Sequence, residues 1–314
     1  MNLRIHNPCN EHTRYYRNYN LFWDELTDRL KQKYNVIENR YFENAHKERF
    51  RVNLDSLINP NEGLLLMECE YVIENTDNGE FYILSVSDDL TSGVLTEQSN
   101  PKLKKVLISQ FIEDKIKHHV GNNYEKYSPW IYFPMNLTDL ESYYQKRKEK
   151  TELIDKLCFW GVTSQRPILN HFDSTMLVGP NYIGDSDKYF DNLINYSVAL
   201  SVAGVGELCY RDIECMALGV PFIRFEYQTI LSEPLIPNYH YISLPYDKEM
   251  PRHNDTPTDR LGGYDQAKKI EQRFNEVISD KDFLNFISKN ARKYYEDNLS
   301  STSRVDKTLE ILNL

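Results

Sequence analysis

The stretch that decides the fold is VALSVAGVGELCYRDIECMALGVPFIRF, residues 198–225. It begins with an apolar run typical of a buried strand and passes through two glycines, Gly204 and Gly206, into a segment with helical spacing. A second apolar run, VPFIRF, follows and predicts another strand. The segment therefore predicts a strand, a glycine turn, a helix and a further strand in close succession.

Three charged side chains, Glu207, Arg211 and Glu214, lie close to this turn. In an open α/β sheet, ligands bind beyond the carboxyl ends of the strands, which is where the turn is expected. A helix N-terminus offers N–H groups and partial positive charge to a phosphate, and an arginine adds a bidentate contact. Glu214, on about the same helix face as Arg211, suits two ribose hydroxyls. The pattern predicts a nucleoside diphosphate site, and a surface salt-bridge cluster is the alternative interpretation.

The rest of the chain alternates predicted strands and helices. NLRIHN, LFWDELTDRLKQKY and NVIENRYF predict a β-α-β opening, and the second half alternates again from KLCFWGV to HYISLP. This alternation predicts an α/β fold with parallel sheets covered by helices on both faces. We expect two Rossmann-like domains facing a cleft, residues 1–145 and 146–314, joined through a charged helical segment near 138–155.

Composition limits the class of protein. The chain has 314 residues and a net charge of −10, which argues against nucleic acid as the main partner. The one dense basic run, YYQKRKEK at 143–150, is interpreted as a solvated helix face. Five cysteines without a C-x-x-C pair indicate neither a disulfide framework nor a zinc site. With no apolar signal region and no transmembrane stretch in the sequence, a cytoplasmic protein is expected.

The segment ECMALGVPFI resembles the nucleotide-sugar site of GT-B glycosyltransferases. In those enzymes an acidic residue precedes a small–apolar–Gly–apolar–Pro run and holds the ribose of the donor. Glu214 matches that residue. The paired acids of the retaining families are not kept, because Gly206 stands where their first acid would be.

Further segments, in the same order along the chain, resemble the protein O-glucosyltransferase and fungal capsule xylosyltransferase family, often described as lipopolysaccharide-modifying. FYILSVSDDL resembles that family's strand ending in a catalytic Asp, matched here by Asp88. YSPWIYF resembles its Tyr-Pro-Ala-Trp segment, matched by Tyr127, Pro129 and Trp130. The resemblance implies that Asp88 is catalytic and that Tyr127 and Trp130 bind substrate.

The second half carries the rest of this resemblance. CFWGVTSQR resembles the family's Trp-Arg-Gly-Ser strand and turn, matched by Gly161, Ser164 and Arg166. AGVGELCYR resembles its Gly-x-Gly…Arg donor loop, which assigns Gly204, Gly206, Glu207 and Arg211 to the donor. The sequence departs from the family at Trp160, which replaces an Arg, and at Glu207-Leu208, which replaces Trp-Ser. These departures leave the donor sugar and the acceptor open.

The resemblance implies an inverting transfer from a nucleotide-diphosphate sugar, with a UDP-sugar favoured, to a hydroxyl of a glycan, glycolipid or protein. In a single displacement a base removes the acceptor proton as the diphosphate leaves, and Asp88 is the expected base, with Asp89 as the alternative. Arg166, Arg211 and helix N–H groups are expected to stabilise the leaving group, without a metal or another cofactor. The sequence Asp185-Ser-Asp187 is interpreted as a turn.

Two other functions stay open on the sequence. One is a retaining or differently specific GT-B enzyme, and the other is a non-catalytic protein that binds nucleotide sugar without transferring it. A DNA-base glucosyltransferase is disfavoured by the acidic charge.

Overall fold

The helices and strands of the chain form a mixed α/β structure with parallel strands, which confirms the expected fold class. The computed structural model describes residues 1–7, 17–40, 49–67, 70–86, 92–131, 140–161, 166–181, 185–203, 207–246 and 263–314. Two compact units divide the chain. The first consists of Met1–Asn136, Thr229–Glu233 and Asn298–Leu314, and the second of Leu137–Gln228 and Pro234–Asp297. The expected division after residue 145 into an acceptor-side and a donor-side domain stays a prediction.

The first unit contains eight strands and four helices among its described residues. They are β1 (Asn2–Asn7), α1 (Arg17–Lys33), β2 (Asn35–Arg40), β3 (Arg49–Val52), β4 (Leu64–Met67), β5 (Glu70–Asn75), β6 (Glu80–Ser85), α2 (Ser92–Thr96), β7 (Leu103–Ile108), α3 (Glu113–Val120), β8 (Tyr127–Pro129) and, from the end of the chain, α9 (Ser301–Leu312).

The main sheet of the first unit is mixed, which corrects the all-parallel sheet expected there. Its strand order is β2-β1-β5-β6-β7-β8, and β5 runs antiparallel to both of its neighbours. The strands β5 and β6 form a hairpin in which Asn75 faces Glu80. Gly79 adopts a φ of +74° in this turn, a conformation that glycine reaches without strain.

The second unit is built from five parallel strands and five helices among its described residues. They are α4 (Leu140–Lys148), β9 (Ile154–Trp160), β10 (Leu177–Asn181), α5 (Ser186–Leu193), β11 (Tyr196–Leu200), α6 (Tyr210–Leu218), β12 (Phe222–Phe225), β13 (Ile242–Leu244), α7 (Gly263–Val277) and α8 (Lys281–Tyr294).

The order of these strands is β10-β9-β11-β12-β13, with every neighbouring pair parallel. Numbered within the unit, this order is 2-1-3-4-5, one of the two common doubly wound arrangements. The chain reverses its direction of winding between β9 and β11. A ligand is therefore expected beyond the carboxyl ends of these two strands, where crossover connections leave a crevice.

The basic run at the end of α4, residues 143–150, was expected to be a solvated helix face. One of its residues, Arg147, instead hydrogen-bonds to the backbone of the second unit. Arg147 donates to three backbone carbonyls, those of Ile194 (2.9 Å), Tyr196 (2.8 Å) and Gly219 (3.2 Å). Burial lowers the pKa of Arg147 to about 10, so the side chain keeps its charge at neutral pH. None of the described helices is long and apolar enough to cross a lipid bilayer.

Candidate functional site

A buried ion pair holds the turn between β11 and α6. The Asp212 carboxylate accepts hydrogen bonds from the Ser201 hydroxyl and from the Cys209 N–H at 3.0 Å, and it pairs with Arg224 of β12 at 2.5 Å. Asp212 is fully buried and Arg224 is 3% exposed. Because each charge of a buried pair needs its partner, this network fixes the end of one strand, the start of the helix and the next strand relative to one another.

Arg211 lies on the first turn of α6 and is 7% exposed. Its Nη2 donates to the backbone carbonyl of Trp160, and its guanidinium carbon lies 3.9 Å from the centre of the Phe159 ring. Its Nε and Nη1 atoms are buried without a hydrogen-bond partner among the described residues. Buried donors without partners are rare in folded proteins. These two nitrogens are therefore the donors that a bound anion would satisfy.

Gly161, the residue after β9, leaves the space that the Arg211 side chain occupies. A Cβ added at Gly161 would lie closer than 3.0 Å to Nη2 of Arg211. Its other neighbours are carbons of the Phe159 ring at 3.4 and 3.5 Å, which is ordinary contact. The structure thus brings together two predicted site residues, at the carboxyl ends of the two strands where the winding reverses.

Arg166 joins the same cluster. Its Nε donates to the carbonyl of Val202 at 3.2 Å, and its guanidinium carbon lies 5.6 Å from the centre of the Phe159 ring. Two guanidinium groups thus lie within cation–π range of one aromatic ring. Gly161, Arg166 and Arg211 therefore lie together in one positively charged niche, and their roles in donor binding stay predictions.

Glu214 lies on α6 one turn beyond Arg211 and is 8% exposed. Its Oε2 accepts a hydrogen bond from the Tyr189 hydroxyl of α5 at 2.7 Å. Burial raises the pKa of Glu214, while this hydrogen bond and the charge of Arg211 oppose the rise. The carboxyl group is held by Tyr189 next to the arginine niche, and carboxyl oxygens are suitable acceptors for ribose hydroxyls.

Glu207 stabilises a different part of the turn. Its Oε1 accepts from the Gln228 N–H at 2.8 Å, and its backbone carbonyl accepts from Arg224 at 3.2 Å. These bonds link Glu207, three residues before α6, to Arg224 of β12 and to Gln228 beyond that strand. The N-terminus of α6 is also partly occupied, because the Cys209 N–H donates to the Asp212 carboxylate.

Tyr127 and Trp130, the predicted substrate-binding aromatics, are buried in the first unit. The Tyr127 hydroxyl donates to the carbonyl of Val94 at 2.8 Å, and burial raises its pKa. Trp130 is fully buried, stacks on Trp23, and donates from Nε1 to the Thr308 hydroxyl of α9 at 2.9 Å. Neither ring offers an open face to a sugar, so the structure gives both residues a packing role.

Asp88, Ser164, Gly204 and Gly206 lie outside the described residues, so their predicted roles stay predictions. Asp185 caps the N-terminus of α5 by accepting from the N–H groups of residues 187 and 188, so this segment begins a helix where the sequence was interpreted as a turn. In the part of the chain that the structure describes, no group of His, Cys, Asp or Glu side chains is arranged to hold a metal ion.

Sequence reasoning missed three residues of this region, Asp212, Arg224 and Tyr189. Arg224 stands in the apolar run FIRF, where a charge inside a central strand signals a buried partner. Asp212 stands three residues after the helix cap Cys209, the position from which a carboxylate reaches back to the cap N–H. Tyr189 carried no comparable signal, since its hydroxyl meets Glu214 only through the packing of α5 on the sheet.

Comparison with solved structures gives the fold a context. The chain is similar to a glycosyltransferase from Rickettsia africae ESF-5, with a TM-score of 0.50, 13% sequence identity and 96% of each chain covered. It is also similar to TarM, with a TM-score of 0.41, 12% identity and coverage of 76% of this chain and 51% of that one. Anabaena HepE, solved in complex with UDP-glucose, has a TM-score of 0.40, 10% identity and coverage of 73% and 71%. No protein-family model and no curated protein matches the chain.

Proposed function

We propose that this protein is a glycosyltransferase that binds a nucleotide-diphosphate sugar at the carboxyl ends of β9 and β11. The observation that carries the proposal is Arg211, whose Nε and Nη1 are buried without a hydrogen-bond partner among the described residues. The niche lies where a doubly wound sheet reverses its winding, the usual ligand position in such sheets. The fold likeness to the Rickettsia glycosyltransferase extends over nearly the whole chain and agrees with this proposal.

In the proposed complex each niche residue has a role that its present contacts support. Arg211 donates to the diphosphate through its two unsatisfied nitrogens, and Arg166, on the same aromatic ring, adds a second positive charge. Together they stabilise the negative charge that develops on the leaving diphosphate. Glu214, held by Tyr189, accepts hydrogen bonds from the ribose. Ser164, Gly204 and Gly206 are assigned to the donor by the sequence resemblance.

For the chemical step we propose a single, inverting displacement without a metal ion, with Asp88 as the general base. Asp88 takes the proton of the acceptor hydroxyl, the acceptor oxygen bonds to the anomeric carbon, and the nucleoside diphosphate leaves. A UDP-sugar is the favoured donor, and the acceptor is a hydroxyl of a glycan, glycolipid or protein. The cleft between two Rossmann-like domains and the cytoplasmic location stay predictions.

Calorimetric titration with UDP, GDP, TDP and CMP tests the donor site. We expect one nucleotide to bind wild-type protein, and Arg211→Gln to lower its affinity by about tenfold to a hundredfold, because hydrogen bonds to charged groups contribute about 1.5–3 kcal/mol. Arg273→Gln is a matched control, since Arg273 lies on α7 of the same unit and pairs with Glu276. Equal affinities in the Arg211 variant and wild type would place the diphosphate elsewhere.

Turnover separates an enzyme from a non-catalytic binding protein. Release of nucleoside diphosphate from the bound donor is expected to persist in EDTA and to fall by about 10²–10⁴ in Asp88→Asn, the usual share of general-base catalysis. Asp89→Asn is the matched control, because it makes the same charge change one residue further along the chain. The anomeric configuration of the product, read by NMR, distinguishes inversion from retention. Donor binding without turnover under any condition would identify a binding protein.

A further inference from the structure

A groove of about 670 Å³ lies on the second unit at the amino-terminal ends of the sheet strands. The arginine niche lies at their carboxyl ends. Asp155, Ser197 and Pro221, which stand at or before the starts of β9, β11 and β12, line it. The niche lies at the other ends of these parallel strands. The four residue-to-residue steps from Ser197 in β11 to Ser201 just beyond it correspond to about 13 Å at the usual rise per strand residue. The groove is therefore separate from the proposed donor site.

The groove is basic, although the chain as a whole carries a net charge of −10. Its lining contains five cations, Arg147, Lys148, Lys150, Lys281 and Lys289, and two carboxylates, Glu152 and Asp155.

Two of the cations are already engaged. Lys281 pairs with both oxygens of Asp155 at 2.7 and 2.8 Å, and Arg147 donates to backbone carbonyls. Among the described residues, Lys148, Lys150 and Lys289 form no ion pair at salt-bridge distance, and the Lys148 ammonium lies 5.6 Å from the centre of the Tyr144 ring. Lys148 and Lys150 stand at and just after the end of α4, and Lys289 stands on α8. The three ammonium groups therefore line one concave surface from two sides.

We propose that this groove binds a ligand with two or more phosphate groups. Lysine ammonium groups bind phosphate as compact point charges, and several of them around one groove favour a polyvalent anion over a monovalent one. The hydroxyl of Ser288 and the amide of Asn285 line the same groove and add neutral polar contacts. Its volume is in the range of small-molecule sites. The residue after α6, Gly219, also lines it, so the groove and the arginine niche lie at opposite ends of one helix.

Inorganic tripolyphosphate is the probe for this site, measured by calorimetry. The groove variant carries Lys148→Gln, Lys150→Gln and Lys289→Gln. The control variant carries Lys146→Gln, Lys156→Gln and Lys188→Gln, which remove the same charge from exposed positions of the same unit outside the groove lining. We expect the groove variant to bind tripolyphosphate at least tenfold more weakly than wild type, and the control variant to stay within about threefold of it, since distant charges are screened by salt.

The two proposed sites are separated by crossing the variants. Arg211→Gln is expected to leave the groove-dependent binding of tripolyphosphate in place, and the groove variant is expected to keep wild-type affinity for the nucleotide. Equal weakening in the groove and control variants, or loss of tripolyphosphate binding in Arg211→Gln instead, would overturn the groove proposal. Absence of nucleotide binding in wild type would overturn the donor site alone.

The source of the phosphate groups is read in a second arm. Co-sedimentation with vesicles that contain cardiolipin, whose headgroup carries two phosphates, compared with phosphatidylcholine vesicles, tests a lipid headgroup against a free phosphorylated ligand. Sedimentation that the groove variant loses and the control variant keeps identifies a headgroup. Tripolyphosphate binding without sedimentation identifies a free ligand. If wild type shows neither tripolyphosphate binding nor sedimentation, the site is refuted.

Discussion

Substitution of Gly161 by alanine tests whether the absence of a side chain at this position makes room for the Arg211 guanidinium. The added Cβ would lie closer than 3.0 Å to Nη2 of Arg211, while its other neighbours are in ordinary contact. The φ of Gly161 lies outside the positive range, so backbone strain contributes nothing to the effect. The substitution therefore acts on one atom, the nitrogen that donates to the carbonyl of Trp160.

The magnitude follows from that hydrogen bond. Moving Nη2 by about 1 Å breaks the bond, because N–H···O bonds weaken rapidly beyond about 3.2 Å. A hydrogen bond to a charged group contributes about 1.5–3 kcal/mol. If the displaced guanidinium also loses its alignment with the diphosphate, nucleotide affinity falls by about tenfold to a hundredfold. We expect this fall for Gly161→Ala, together with a loss of unfolding free energy of about 1.5–3 kcal/mol from the broken hydrogen bond.

A double-mutant cycle isolates the contact. Nucleotide affinity is measured by calorimetry for Gly161→Ala, Arg211→Gln and the double variant. If Gly161 acts through Arg211, the double variant binds as weakly as Arg211→Gln alone, within the roughly 0.5 kcal/mol scatter of such cycles. Wild-type affinity in Gly161→Ala, or a further loss when it is added to Arg211→Gln, would refute this account of the niche.

Three further predictions concern the second unit. Asp212→Asn is expected to lower the unfolding free energy in urea by about 3–5 kcal/mol, because its buried arginine partner loses its counter-charge; the exposed control Asp191→Asn should cost under about 0.5 kcal/mol. Burial lowers the pKa of His240 to about 4, so below pH 6.5 the unfolded chain binds a proton that the folded chain does not. Between pH 7 and pH 4 the unfolding free energy of wild type should then fall by about 3 kcal/mol more than that of His240→Asn. Parallel curves of unfolding free energy against pH would contradict this. Tyr189→Phe, which removes the donor to Glu214, should weaken UDP binding more than binding of 2′,3′-dideoxy-UDP; equal losses would separate that carboxyl group from the ribose.

Much of the second unit was predictable because its pattern is local. Each parallel strand is a short apolar run, and glycine and proline mark the turns, as at Gly219, which ends α6 with a φ of +60°. Strand direction in the first unit was not predictable from apolar runs, which look alike in parallel and antiparallel strands. The available signal was the turn chemistry of Asn78-Gly79, typical of a hairpin between β5 and β6.

The site was predictable in part for the same reason. Gly161, Arg166 and Arg211 each follow or precede a predicted strand on the side where ligands bind, so topology brings them together. Trp130 was misassigned because an aromatic residue at a strand end fits a sugar platform and a core equally well. Its burial depends on Thr308, which lies 178 residues further along the chain. Contacts at such separation are set by tertiary packing, and no local pattern encodes them.

The two ends of α6 differ in how completely their polar groups are hydrogen-bonded, and this difference links stability to ligand binding. At its C-terminus the carbonyls of Ala217 and Gly219 accept hydrogen bonds from Arg292, Arg147 and Ser288, which also oppose the negative end of the helix dipole. At its N-terminus, by contrast, two donors of Arg211 are left without a partner among the described residues, and each such buried donor costs about 1–3 kcal/mol. In the proposed complex the bound diphosphate accepts from these two donors and so recovers that cost. At one fixed nucleotide concentration, nucleotide should therefore raise the thermal stability of wild type more than that of Arg211→Gln, because the stabilisation grows with the ratio of ligand concentration to Kd and the variant binds more weakly.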